Sequence, residues 1–98
     1  MWITTITYDL VAIRQLSESD FASFMGPIQN KKNELRDADG HGLCTTEYPA
    51  PTDYNDIPID QTTWTVQRAW IQQTNAQAFV DYFAGVNHII TATLEEQV

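Results

Sequence analysis

Cysteine is nearly absent from this chain, and its scarcity excludes two common ways of stabilising a small protein. Cys44 is the single cysteine among 98 residues, so the sequence predicts neither an internal disulfide nor a multi-cysteine zinc site. Long apolar runs are absent too. The longest spans Leu10 to Ile13, far short of the about 20 residues that a membrane-spanning helix needs. We therefore expect a protein with no membrane partner, whose stability comes from packing.

Basic residues are also scarce. Five Lys and Arg stand against 13 Asp and Glu, a formal net charge of −8 at pH 7, which repels nucleic-acid phosphates and anionic lipids. Nucleic-acid binding is not expected. No Lys or Arg lies between Arg36 and Arg68, whereas the following acids do: Asp37, Asp39, Glu47, Asp53, Asp56 and Asp60. The negative charge is therefore concentrated in one stretch.

Motifs for export and for catalysis are missing as well. The opening Met1–Thr5 lacks the basic start and apolar stretch of a secretory signal, so we expect a cytoplasmic protein of a cell or of an infected host. The sequence contains no glycine-rich phosphate loop and no recognisable Ser, His and acid order. It therefore predicts no catalytic residue, no metal ligand and no cofactor, and enzyme activity is not favoured.

The residues that are present predict one folded domain over 1–98. The chain is 43% hydrophobic and 11% aromatic, enough to build one core. Residue patterns predict six elements. They are a strand over 2–11, a helix from about 18 to 38 capped by Ser17, an edge strand over 43–48, a strand over 62–71, a helix from Thr74 to about 84 and a strand over 88–94. Gly26-Pro27 is expected to kink or divide the first helix, and the proline-rich segment 49–60 to form an acidic loop.

This order of elements predicts a ferredoxin-like β-α-β-β-α-β fold, in which two helices cover one face of a four-stranded antiparallel sheet. Two arrangements of the sheet then compete. If Trp64, Val66 and Trp70 meet the helices, the open face is a wettable threonine surface and the protein is a self-sufficient monomer. If Trp64, Arg68 and Trp70 face outward instead, a second sheet or a ligand must cover them. Arg68 favours the second arrangement, because a guanidinium is seldom buried without a partner.

The strand Thr63–Trp70, followed by the capped helix Ala76–Phe83, resembles the second half of dimeric α+β barrel proteins. The resemblance is architectural, covers about a third of the chain and matches no catalytic motif. Those families include small monooxygenases and dye- or haem-handling enzymes, so the resemblance implies a homodimer that encloses a cavity.

Trp64, Arg68, Trp70 and His88 form the candidate site for a ligand or an interface. Aromatic walls, a cation and an imidazole on neighbouring strands suit a flat acidic or carbonyl-bearing ligand. The same residue types also belong to interfaces and cores. Two weaker candidates are the calcium-loop-like Asp37–Gly42, whose twelfth position is a tyrosine, and the pair His41 and Cys44, which is too small a set to make a site.

Three functions remain open. The leading hypothesis is a non-catalytic interaction or assembly module that self-associates, as a homodimer or higher oligomer, through the open sheet face or a strand edge. The second is a small-molecule enzyme or binder of the dimeric α+β barrel kind, monooxygenase-like, with Arg68 and the tryptophans around its cavity. The third is an acidic inhibitor that imitates nucleic acid.

Overall fold

The computed structural model describes residues 1–41, 43–44 and 54–97. Its elements, in chain order, are β1 (Trp2–Asp9), α1 (Leu10–Arg14), α2 (Glu18–Asp39), β2 (Leu43–Cys44), a 3-10 turn (Tyr54–Asp56), β3 (Thr63–Trp70), α3 (Gln73–Tyr82) and β4 (Ile89–Glu96). Most of these elements lie where the sequence pattern predicts them. Residues 45–48 of the edge strand predicted over 43–48, and residues 49–53 of the predicted acidic loop, lie outside the described residues.

The sheet consists of three antiparallel strands of eight residues each, with β1 between β3 and β4. The segment β2 adds only a two-residue pairing, Leu43 opposite Ala69 and Cys44 opposite Arg68. The predicted ferredoxin-like sheet of four strands under two helices is therefore wrong. Within the described part of the chain there are three full strands and three helices.

The additional helix, α1, forms where the sequence pattern predicted the end of the first strand. The Asp9 side chain accepts a hydrogen bond from the Ala12 amide at 3.2 Å and so caps the helix. Leu10 and Ile13, which are three residues apart, are both fully buried, as one helical face requires. The run of β-branched residues had suggested a strand, but a local cap and burial favour the helix.

The long helix α2 agrees with its predicted limits. Ser17 accepts from the Asp20 amide at 3.1 Å, and Gly40 ends the helix with a φ of 77°, a conformation that glycine adopts without steric cost. The helix continues through Pro27, at the cost of one backbone hydrogen bond. It is a single element of 22 residues.

The core lies between the helices and one face of the sheet. The buried side chains come from β1, β3, α1, α2, α3 and the residues just after α3, and they are Ile6, Tyr8, Ile13, Phe21, Met25, Ile28, Leu35, Val66, Trp70, Ala76, Phe79 and Phe83. Burial of such side chains contributes roughly 1.5–3 kcal/mol each, so this layer dominates the stability of the fold. No helix in the described residues is long and apolar enough to cross a membrane.

Candidate functional site

Side chains alternate between the two faces of the sheet, and the helices cover the tryptophan face. On β3, Val66 and Trp70 are buried, and Trp64 packs against the core as a half-buried side chain. Their neighbours Thr65 and Gln67 are exposed. Of the two arrangements weighed above, the one found has the tryptophans against the helices, and the preference that Arg68 lent to the other arrangement was wrong.

Trp70 is part of the core. Its side chain has 0% exposure, and its indole Nε1–H donates to Thr4 Oγ1 at 2.9 Å. Its ring lies 5.3 Å from that of Phe79. A side chain in this position supports the fold through burial and a satisfied hydrogen bond, and no surface of it is presented to a ligand.

Arg68 lies on the same face, half-buried beside the Tyr8 phenol. Burial raises the pKa of Tyr8 well above its ordinary value, and the positive charge of Arg68 offsets part of that rise. The crevice that Arg68 lines with Tyr8, Gln29 and Lys32 has a volume of about 10 Å³, room for about one water molecule. The described residues around Arg68 therefore enclose no space for a flat organic ligand.

His88 lies at the far end of the sheet from Trp70. Trp70 pairs with Trp2, whereas the His88 carbonyl accepts from the Asp9 amide at 2.9 Å, so β1 separates them by about 23 Å at about 3.3 Å per residue. His88 has a φ of 69° and its ring meets the Phe24 ring edge-on at 5.4 Å. The structure therefore does not bring the four predicted site residues together.

The open face of the sheet carries ordered rows of threonine. Thr7 lies between Thr65 and Thr91, and Thr5 lies between Gln67 and Thr93. Within these rows the Thr7 and Thr65 hydroxyls are 3.3 Å apart, and Gln67 Nε2 donates to Thr5 Oγ1 at 3.2 Å. Hydroxyls that pair with one another and with water leave this face stable without a cover.

A shallow depression of about 540 Å³ lies at one end of this face, over Ile3 and Ala69, with Glu95 at its rim. His41 Nδ1 lies 2.8 Å from the Ala69 carbonyl oxygen. Because a carbonyl only accepts, Nδ1 carries the proton in this contact. The imidazole thus ties His41 to β3. The Cys44 side chain, its proposed companion, lies outside the described residues, among which no three His, Cys, Asp or Glu are grouped to bind a metal.

Asp39 is the residue whose role sequence reasoning missed. Its carboxylate, 5% exposed, accepts from the Ile71 amide (3.0 Å), the Gln72 amide (2.9 Å) and Asn75 Nδ2 (3.1 Å). Burial alone would raise the pKa of Asp39, but these three hydrogen bonds, together with the charge of His41, outweigh it and lower the pKa below its ordinary value. The carboxylate therefore joins the end of α2 to the start of α3.

This contact lies immediately before α3. The helix begins at Gln73, with Gln72 as its N-cap residue and without a side-chain cap, close to the predicted start at Thr74. In the sequence, Asp39 is recognisable only as an acid beside Gly40 at the end of a helix. That position carries no information about its distant partners at 71–75. Only the tertiary fold brings them together.

The outer edge of β4 has no pairing strand among the described residues. Among residues 1–41, 43–44 and 54–97, the strand pairs on one side only, with β1. It is eight residues long and contains no proline. An edge of this length and composition offers a row of free backbone donors and acceptors to another strand.

The direction of the backbone groups on β4 follows from one contact and from the alternation of the ladder. The Gln97 amide donates to the Met1 carbonyl at 2.8 Å, in line with the β1 register, and hydrogen-bonded pairs alternate along an antiparallel ladder. Thr93 and Glu95 therefore direct their backbone groups toward β1. Ala92 and Leu94 direct theirs to the free edge.

The two ends of β4 differ in character. Glu95 and Glu96, both exposed, close the strand, while its start carries Ile89 and Ile90, the latter 52% exposed. The ladder with β1 shifts register between Thr7 and Tyr8, which makes Ile90 the extra residue of a β-bulge. The strand thus has an acidic end, an apolar end and a regular middle.

Comparison with protein-family models, with curated proteins and with solved structures finds no match to the chain.

Proposed function

We propose that the protein is a non-catalytic assembly module that joins a second copy of itself along the free edge of β4. The proposal rests on the eight-residue outer edge of β4, which no other strand of the described residues pairs with, and whose outward amides and carbonyls at Ala92 and Leu94 are oriented to accept another strand. Extension of a sheet by a strand of a second chain satisfies these groups and removes the edge from both copies.

The other route to self-association, through the open sheet face, has less support. That face presents threonine rows whose hydroxyls are already hydrogen-bonded or exposed to water. Contact through it would bury polar groups with little apolar area in return, and unpaired buried hydroxyls cost free energy. The strand edge is the better interface.

The chemistry of the edge supports a second copy as the partner. When two identical strands pair antiparallel, the acidic end of each, Glu95 and Glu96, runs to the Ile89–Ile90 end of the other, next to His88. A parallel pairing in register would instead place Glu beside Glu, which is destabilising. The sequence of β4 is therefore complementary to itself in the antiparallel direction.

The enzyme and the nucleic-acid mimic are not supported by a comparable feature. The described residues around Arg68 leave about 10 Å³ of space, and Trp70 is fully buried. The charge of −8 remains the only argument for a mimic. Native mass spectrometry tests these two functions, because a retained small molecule would support the enzyme or binder and a retained basic partner would support the mimic.

The assembly function is tested by sedimentation velocity over a range of concentrations. We expect the wild-type chain to reach twice its mass of 11.2 kDa, and the Ala92→Pro variant to require at least about tenfold higher concentration to do so, about 1.4 kcal/mol, the net value of about one hydrogen bond. Proline removes an outward donor and leaves the ladder to β1 intact.

Ala92→Ser is the matched control, since it changes the side chain and keeps the amide. It should associate as the wild type does. A wild-type chain that stays monomeric at every concentration contradicts the proposal, as does unchanged association of a folded Ala92→Pro chain.

A further inference from the structure

We infer that the two copies pair around a two-fold axis that passes through Ala92, so that Thr91 of one copy lies opposite Thr93 of the other. This inference rests on the proposed function, because it specifies how the β4 edges meet.

The outward backbone groups restrict the choice of axis. In an antiparallel pair, residues directly opposite one another lie on the same face and alternate between hydrogen-bonded and non-hydrogen-bonded pairs. Ala92, Leu94 and, by the same alternation, Glu96 supply the outward groups beyond the bulge, so at least one hydrogen-bonded pair must join two of these positions. The axis therefore passes through Ala92, Thr93 or Leu94, and the bulge at Ile90 prevents a regular pairing centred nearer the start of the strand.

The acids discriminate among the three positions. An axis at Leu94 places the Glu95 backbones of the two copies about 7 Å apart along the strands, an axis at Thr93 about 14 Å, and an axis at Ala92 about 20 Å, at about 3.4 Å per residue. The Debye length at physiological salt is about 8 Å. Two copies of net charge −8 therefore keep their acidic ends furthest apart with the axis at Ala92.

The apolar side chains favour the same axis. With Ala92 on the axis, the bulged Ile90, which is 52% exposed, comes next to Leu94 of the second copy, and each covers apolar surface of the other. With Thr93 on the axis, Ile90 would lie opposite Glu96 of the second copy and gain no apolar partner. The pairs Thr91–Thr93 on the open face add a threonine contact typical of neighbouring strands.

Disulfide capture tests the axis, in a background where Cys44→Ser removes the native thiol. Thr91→Cys and Thr93→Cys chains are mixed in equal amounts and oxidised, and the products are separated without reductant. Both side chains are exposed on the open face, so the variants should fold. With the axis at Ala92 the two positions form a non-hydrogen-bonded pair with Cα atoms about 4.5 Å apart, within disulfide range.

We expect the mixed disulfide to exceed the sum of the two symmetric ones. A symmetric Thr93→Cys product in excess would move the axis to Thr93 and overturn the inference. Failure to capture any product, from chains that sedimentation shows to be dimeric, would overturn it too while leaving the proposed function in place. Chains that sediment as monomers would overturn both.

Discussion

The two faces of the same sheet make opposite use of neighbouring residues. On the covered face Trp70 is fully buried and hydrogen-bonded to Thr4. On the open face of the same strand β3, Gln67 and Thr65 are exposed and bond to threonines of β1. The covered face supplies side chains to the buried core and the open face presents polar side chains to water, so neither face requires a partner. The comparison of the two faces therefore favours the edge of β4 as the interface.

The largest effect that sharpens this comparison comes from Trp70→Ala. We expect the free energy of unfolding to fall by about 3–5 kcal/mol, because a large buried ring is removed and Thr4 loses its hydrogen-bond donor. The matched change on the open face of the same strand, Thr65→Ala, should alter it by no more than about 0.5 kcal/mol. Unfolding in urea is monitored by circular dichroism, because the Trp70→Ala substitution itself removes part of the tryptophan fluorescence. Equal losses in the two variants would refute the assignment of the faces.

A smaller and pH-dependent effect is expected at Asp39. The Asp39→Asn change should lower the free energy of unfolding by about 1–3 kcal/mol at neutral pH, because an amide cannot accept all three hydrogen bonds as the carboxylate does. The folded pKa of Asp39 is depressed. The stability that it contributes is therefore present above its unfolded pKa of about 3.9 and is lost as the pH falls through the lower, folded pKa.

The control for this prediction is Asp37→Asn, because Asp37 is exposed and contacts only its neighbour Arg36, at 3.4 Å, among the contacts described. Urea unfolding at pH 7 and again below pH 4 measures both variants. The deficit of Asp39→Asn should shrink at the acidic pH and that of Asp37→Asn should be small throughout. A deficit at Asp39 that stays constant with pH would show that the charge of the carboxylate is not what stabilises the junction.

Much of the fold was predictable from local signals. Alternation located β1, β3 and β4, and the hydroxyl of Ser17 with the glycine at position 40 located both ends of α2. These features depend on neighbours along the chain. The number of strands was not predictable in the same way, since whether 43–48 forms a full strand depends on what pairs with it, and the described pairing stops at Leu43–Cys44.

The candidate site was predicted less well, for a physical reason. Alternation shows which residues share a face but not which face the helices cover. Arg68 was taken as a sign of exposure, yet its long side chain extends along the covered face and remains half-buried, as amphipathic side chains do. Asp39 was overlooked because its partners lie 32 to 36 positions away. The free edge of β4 depends on strand order, which composition does not reveal.

Amide hydrogen exchange at low and high protein concentration tests the central claim most directly, because it reports separately on the two sides of β4. The amides of Thr93 and Glu95 bond to β1 and should be protected at both concentrations. Those of Ala92 and Leu94 point to the free edge, and we predict that their protection rises with concentration as the second copy pairs with them. If Ala92 and Leu94 exchange equally fast at every concentration, the edge of β4 does not join two copies and the account is contradicted.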